Sequence, residues 1–214
     1  MSHNISENIK RITRELENNA RLIAVSKRQP LDRILDALDA GHHDFGENRI
    51  QDATKTWTDL KEEYSDVTLH MIGNIQSNKA AEAVALFDVI HTIDRPKIAQ
   101  ALAVEMKNQS RNLPCLIQVN TGEEDQKSGV LITELDSLYK YCTDDLGLNI
   151  IGLMCIPPID EAPSLHFALL NKYAKKLGLE HLSMGMSNDY KTALNFGATY
   201  VRVGSDIFGT RINE

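Results

Sequence analysis

Several short apolar runs of the sequence end in polar residues that could do chemistry. Lys27 ends one such run, the residues Ser183 and Ser187 follow a second, and Gly204 with Ser205 follows a third. A lysine held in a partly desolvated pocket has a lowered pKa and can form a Schiff base with an aldehyde. Free backbone N–H groups where a helix begins favour a phosphate group. The pattern therefore predicts phosphate binding beside a reactive lysine.

The alternatives for these residues are simpler. Ser187 and Ser205 could be N-caps, which most helices use. Lys27 could be a surface lysine or one that only pairs with a phosphate.

Eight apolar, β-branched runs alternate with segments of helical periodicity, and these elements must position the polar residues. The runs cover residues 22–26, 43–45, 69–72, 89–93, 115–119, 150–155, 182–183 and 200–203. The spacing of Ile5, Ile9, Ile12 and Leu16 predicts an amphipathic helix before the first strand. We predict an α/β protein: a single (β/α)8 TIM-type barrel with an extra N-terminal helix, spanning residues 1–214. A doubly wound open sheet is the alternative topology.

Alternation along the predicted strands indicates which polar residues face the barrel interior. In a closed barrel the last strand lies beside the first, so Lys27 should be near Gly204. Arg202 should point inward because Val201 and Val203 would face the helices. An inward arginine needs a partner, which could be a buried carboxylate or a ring nitrogen of a bound cofactor.

The same alternation directs Gln118, Asn120 and His70 inward. These side chains could form a self-satisfied network or line a ligand site together with Lys27.

Other candidate motifs are weaker. His42 and His43 are adjacent on a predicted strand, so their side chains point to opposite faces and we expect no metal site. Lys127-Ser128-Gly129 lacks the glycine-rich loop of nucleoside triphosphate sites. Cys155 is best interpreted as a small buried hydrophobic residue.

Composition excludes several classes of protein. The chain has 214 residues and a formal net charge of -7, which argues against a general nucleic-acid binder. Three cysteines without a Cys-x-x-Cys pair favour a reducing compartment. No apolar run has the length of a signal peptide or of a membrane span, so we expect a cytoplasmic protein without membrane contact. We also expect a monomer.

The ordered motifs resemble those of the pyridoxal phosphate homeostasis protein family over nearly the whole chain. They are Ala24-Val25-Ser26-Lys27, Phe45-Gly46-Glu47-Asn48, His70-Met71-Ile72-Gly73, Gln76-Ser77-Asn78-Lys79, Gln118-Val119-Asn120, Lys127-Ser128-Gly129-Val130, Gly152-Leu153-Met154, Ser183-Met184-Gly185-Met186-Ser187, Arg202-Val203-Gly204 and Ile207-Phe208-Gly209-Thr210-Arg211.

The resemblance implies a barrel similar to the N-terminal domain of alanine racemase that binds pyridoxal 5'-phosphate (PLP) without dedicated catalysis. Lys27 matches the family's Schiff-base lysine. Asn48 matches a residue that lines the cofactor, and Arg202 matches the arginine that faces the pyridine nitrogen. The phosphate cradle corresponds to Ser183, Ser187 and Gly204.

The sequence also departs from the family pattern. Members often carry a second lysine soon after the Schiff-base lysine, where this chain has Arg28-Gln29-Pro30. Asn74 and Cys155 also differ from the residues expected there. Lys79 and Lys127 are retained and are candidates for secondary cofactor or transfer positions.

The implied function is a carrier or buffer of PLP in vitamin B6 homeostasis, with apo PLP-dependent enzymes as possible partners. The main alternative is an amino acid racemase or decarboxylase. Such enzymes use a second domain, and we expect none because the chain ends at Glu214. A third class is a barrel enzyme in which Lys27 forms an imine with a phosphorylated metabolite.

Overall fold

The computed structural model describes residues 4–17 and 20–209, so Thr210 and Arg211 of the last motif lie outside the described residues. The strands are β1 Arg21–Val25, β2 Asp44–Glu47, β3 Thr68–Met71, β4 Val89–Ile93, β5 Cys115–Asn120, β6 Val130–Leu131, β7 Ile150–Met154, β8 His181–Ser183 and β9 Tyr200–Val203. The α-helices are α1 Ile5–Glu15, α2 Leu31–Asp39, α3 Ile50–Glu63, α4 Ala80–Leu86, α5 Pro96–Asn108, α6 Ile132–Lys140, α7 Pro163–Leu177, α8 Tyr190–Asn195 and α9 Ser205–Phe208.

Eight parallel strands close into a barrel, which confirms the predicted fold. The strands pair in the order β1, β2, β3, β4, β5, β7, β8 and β9, and β9 pairs in turn with β1. An open, doubly wound sheet has no such closing pair. The two-residue strand β6, which the sequence did not predict, adds to the edge of β5 outside this ring.

The first helix takes its place in the outer layer because its apolar residues recur every three or four positions. Ile5, Ile9 and Ile12 are buried, and the side chain of Asn4 caps the helix by accepting a hydrogen bond from the backbone N–H of Glu7. Helix α1 contacts α2 and the short α9, and Asn8 donates a hydrogen bond to the carbonyl of Ile207. The extra helix therefore covers the strands at the seam between β1 and β9.

Alternation along the strands divides the core in two. Leu22 and Ala24 face the helices, whereas Ile23 packs inside the barrel with Val89 and Leu116. The apolar cluster inside the barrel is small, because polar side chains occupy much of the interior. They are His70, His91, Gln118, Asn120, Ser183 and Arg202, all of them buried.

No helix among residues 4–17 and 20–209 combines the length and apolar character needed to cross a bilayer.

Candidate functional site

A cavity of about 790 Å³ opens at the carboxyl-terminal ends of the strands. Active and binding sites of such barrels lie at this end, because the loops after the strands meet there. Five of the six predicted site residues contribute to its wall: Lys27, Asn48, Ser187, Arg202 and Gly204. The sixth, Ser183, lies below the wall. The fold thus brings together residues that are far apart in the sequence.

Lys27 lies two residues after β1, in a turn whose preceding backbone is held from below. The hydroxyl of the buried Ser26 donates a 2.6 Å hydrogen bond to Glu47 Oε1, and Trp57 Nε1 donates to the same oxygen at 3.3 Å. Burial raises the pKa of the Glu47 carboxyl above its usual value. These bonds tie the end of β1 to β2 and α3, so Lys27 is carried by a fixed backbone. Sequence reasoning singled out Glu47 but gave it no such role.

Arg202 points into the barrel, as the alternation of β9 predicts. Its Nη1 donates to Ser183 Oγ at 2.7 Å and its Nη2 donates to the carbonyl of Cys155 at 2.9 Å. Both hydrogen-bond partners are neutral, so the predicted buried carboxylate is not its direct partner. Burial lowers the pKa of the guanidinium below its usual value. Only 4% of Arg202 is exposed, and the guanidinium reaches the cavity from its floor.

Ser183 is fully buried beneath Arg202. Its hydroxyl accepts the bond from Arg202 and lies 2.9 Å from His91 Nδ1. The hydroxyl therefore holds the arginine from below rather than facing the cavity. Contact of Ser183 with a phosphate stays a prediction from the resemblance.

The turns after β8 and β9 form one side of the cavity, with Ser187, Gly204 and Ser205 on its wall. Among the described residues, the hydroxyls of Ser187 and Ser205 form no hydrogen bond, so neither serine caps a helix. Helix α8 begins three residues after Ser187, with Asp189 at its N-cap position. The N-cap interpretation is therefore wrong for both serines, whose hydroxyls are available to a ligand.

A tight approach of two loops positions Asn48. A Cβ added to Gly73 would lie 2.1 Å from the backbone oxygen of Asn48, so only glycine fits there. The side-chain oxygen of Asn48 is buried and has no hydrogen-bond partner among the described residues. A buried amide oxygen without a partner is costly, and a donor group of a ligand would satisfy it.

A second cavity, of about 670 Å³, adjoins the first and shares Asn48, Ile72 and Ile156 with it. Lys79 and Lys127 line this second cavity. Each of these lysines is paired with an acid three residues away: Lys79 with Glu82 at 2.7 Å and Lys127 with Glu124 at 2.5 Å.

The polar residues of β5 differ in what they do. Gln118 lines the second cavity and donates to the carbonyl of Ser128 at 3.2 Å. Asn120 instead bonds to the backbone N–H and carbonyl of Glu124 and so fixes the loop after the strand. Asn120 lines neither cavity, which favours the alternative of a self-satisfied polar group.

The histidines and the cysteine singled out by the sequence fall outside the cavity. His42 Nε2 lies 2.8 Å from the carbonyl of Asp44, while His43 faces Asp66, so the two rings do not converge. Cys155 is fully buried, and burial raises the pKa of its thiol to about 12, which agrees with its interpretation as a packing residue.

His91 is the interior residue that sequence reasoning missed. It stands two positions after the inward Val89, which was the available signal.

Comparisons with known proteins agree with this geometry. The alanine racemase N-terminal domain family matches residues 2–212. The pyridoxal phosphate homeostasis protein of Vibrio alginolyticus is 38% identical and covers 97% of each chain. That of Escherichia coli K12 is 36% identical, over 89% of this chain and 85% of the relative.

Solved structures are also similar. PipY of Synechococcus elongatus PCC7942, in a structure with PLP bound, superposes with a TM-score of 0.89 at 33% identity, covering 96% of this chain and all of PipY. Alanine racemase of Corynebacterium glutamicum superposes with a TM-score of 0.74 at 17% identity, covering 97% of this chain and 60% of the racemase, which is a likeness of fold alone.

The fold and the site define a class of protein: a (β/α)8 barrel that presents a strand-end lysine and a buried arginine to one cavity. Sequence similarity over nearly the full length narrows this class. The chain belongs to the pyridoxal phosphate homeostasis protein family, within the alanine racemase N-terminal domain family.

Proposed function

We propose that this chain binds PLP in the cavity of about 790 Å³ and serves in vitamin B6 homeostasis as a carrier or buffer. The observation that carries the proposal is the convergence of Lys27, Arg202 and the turn at Gly204 on this one cavity. The names of the relatives and the PLP-bound structure of PipY support the choice of cofactor.

Different residues of the cavity would contact different parts of the cofactor. Lys27 would hold the aldehyde as a Schiff base, and Arg202 would face the ring nitrogen. The turns with Ser187 and Gly204 would receive the phosphate on backbone N–H groups and free hydroxyls, with Ser183 behind them. Asn48 offers its unpartnered oxygen to a donor of the ligand. The positive charge of Arg202 would oppose protonation of the ring nitrogen that it faces.

That arrangement suits storage better than turnover. Bound PLP supplies an electron sink for chemistry at amino acid α-carbons, and a protonated ring nitrogen strengthens that sink. Arg202 acts against this protonation, so we propose no dedicated catalytic residue. The same proposal includes a single barrel domain over residues 1–214, a cytoplasmic monomer, and apo PLP-dependent enzymes as recipients of the cofactor.

Reduction with borohydride tests the proposal directly. The purified protein is incubated with PLP, its absorbance spectrum is recorded, and borohydride then fixes any Schiff base. Peptide mass analysis should find the adduct on Lys27. A protein that stays colourless and unmodified with added PLP would overturn the cofactor assignment.

Racemisation of alanine and serine by the PLP-loaded protein separates a carrier from an enzyme. A carrier should turn over far more slowly than about 1 per second, a rate ordinary enzymes reach. Turnover at or above that rate would contradict the carrier proposal while leaving PLP binding intact.

A further inference from the structure

A chain of hydrogen-bonded side chains runs through the barrel interior, from the cavity floor to the opposite end. Arg202 Nη1 lies 2.7 Å from Ser183 Oγ, which lies 2.9 Å from His91 Nδ1. His91 Nε2 is then 2.9 Å from His70 Nδ1, and His70 Nε2 is 3.1 Å from Asp44 Oδ1. Asp44 begins β2, so the chain ends where the strands begin, away from the cavity.

The hydrogen bonds of this chain can all run in one direction. An ionised Asp44 only accepts, so His70 donates through Nε2. In the arrangement proposed below, His70 Nδ1 accepts from His91 Nε2, and His91 Nδ1 accepts from the Ser183 hydroxyl, whose oxygen accepts from Arg202. Every bond is then satisfied with the two rings in the same tautomer.

Electrostatics favour that arrangement. Burial, together with the nearby Arg202 guanidinium, holds the pKa of His91 well below its usual value, so its ring is neutral. Burial alone would raise the pKa of Asp44, but its hydrogen bond from His70 and the nearby Arg21 guanidinium bring the pKa below its usual value. The chain therefore joins the Arg202 guanidinium to the Asp44 carboxylate through hydrogen bonds.

Packing does not explain why polar side chains occupy the barrel interior here. The interior of a barrel is normally filled by branched apolar side chains. A buried guanidinium needs compensation for its lost hydration, and the direct acceptors of Arg202 are neutral. Cys155 and Asp189 are the other titratable groups that act on Arg202. Asp189 already accepts the backbone N–H of Met186 at 2.6 Å.

We infer that Asp44, His70, His91 and Ser183 are positioning residues for Arg202, and that they couple a carboxylate at one end of the barrel to the guanidinium in the cavity at the other. A ligand group that faces Arg202 would then respond to the charge of Asp44, although the two do not touch. The part of the inference that concerns bound cofactor rests on the proposed function, and the part that concerns the chain itself does not.

Nitrogen NMR of the protein with labelled histidine, without PLP, tests the coupling by itself. His91 should be neutral, with its proton on Nε2. Asp44→Asn keeps an acceptor oxygen but removes the charge, and it should shift the ring signals of His91. Asp66→Asn is the matched control, since Asp66 pairs with His43 at 3.3 Å at the same end of the barrel. A His91 proton on Nδ1, or His91 signals that do not respond to Asp44→Asn, would overturn the inference.

The PLP-loaded protein gives a second readout. The pH midpoint of its absorbance change should fall by about half a unit in Asp44→Asn, because loss of a negative charge disfavours the protonated ligand. Asp44→Glu should restore the wild-type midpoint, and Asp66→Asn should not change it. Equal midpoints in Asp44→Asn and Asp66→Asn would contradict coupling to the ligand. If PLP does not bind at all, the proposed function fails, while the histidine tautomers of the unloaded wild type still decide the inference.

Discussion

The two adjoining cavities both contain cationic side chains, but they hold them differently. In the second cavity, Lys79 and Lys127 stand on a helical turn and a loop, and each is neutralised by an acid three residues away. In the first cavity, Lys27 lies in the turn after β1 and Arg202 lies on the neighbouring strand β9, where its direct partners are a hydroxyl and a carbonyl. The charge of Arg202, held on a rigid strand by neutral partners, remains available to an anionic ligand, whereas an ion-paired lysine must first leave its carboxylate.

Replacing the lysine of each cavity should give the largest contrast. Lys27→Ala should abolish the adduct fixed by borohydride and weaken PLP binding by about 100-fold, because the covalent bond is lost. Lys127→Ala is the matched control and should retain both properties. Affinity is measured by fluorescence titration and the adduct by mass spectrometry. An adduct that persists in Lys27→Ala and disappears in Lys127→Ala would reverse the assignment of the two cavities.

The wall between the cavities should be sensitive to a single methyl group. Gly73→Ala should destabilise the protein by about 3 kcal/mol, since the new Cβ would meet the backbone oxygen of Asn48 at 2.1 Å. Gly41→Ala is the control: it has a φ of +79° and open space around it, and should cost about 1 kcal/mol. Urea unfolding measures both changes. Equal losses in the two variants would show that the close approach to Asn48 is relaxed in solution.

Stability around the first cavity should depend on pH through Glu47. Burial raises the pKa of this carboxyl in the folded state, so at a pH between the unfolded-state and folded-state pKa values the folded state binds more protons. The stability from this group is fully present below the unfolded-state pKa and is lost as the pH rises through the folded-state pKa. Glu47→Gln keeps the acceptor for Ser26 and Trp57 and removes the titration.

The Glu47→Gln variant should therefore gain stability relative to wild type as the pH rises from about 4 to about 8. Urea unfolding across this range gives the difference. A difference that is constant with pH would mean that the Glu47 carboxyl titrates normally.

The second cavity should give the smallest effect. Lys127→Met removes an ion pair whose two side chains are partly exposed, and the expected loss of stability is about 0.5 kcal/mol. Adding salt should shrink the difference, because exposed charges are screened. A loss above about 2 kcal/mol, or a salt-independent one, would show that this pair is more than a surface contact.

The barrel itself was predictable because the chain repeats one pattern. Each predicted strand ends within two residues of an observed one, and β4 and β9 match at both ends. Period-two alternation also placed Arg202 inside correctly, since that rule follows from strand geometry alone. The strand β6 escaped prediction because two residues are too short to show alternation.

The candidate site was predictable only in part. Lys27, Asn48, Ser187 and Gly204 were found because each one follows a strand, and barrel geometry brings strand ends together; Arg202 was found by alternation along its strand. The role of Asn120 could not be decided, because alternation gives the direction of a side chain and not its partner. Its amide bonds the local backbone, which no periodicity reveals.

Sequence by itself determined the eight-stranded alternation, the family, and the identity of the residues at the strand ends. Only the tertiary structure decided which polar atoms meet. The hydrogen-bonded chain from Arg202 through Ser183, His91 and His70 to Asp44 draws on five different strands. Its registry depends on barrel closure and strand stagger, which fix side-chain positions to within the length of a hydrogen bond. Local propensity does not contain that information, because each of these residues would satisfy its own strand equally well in another register.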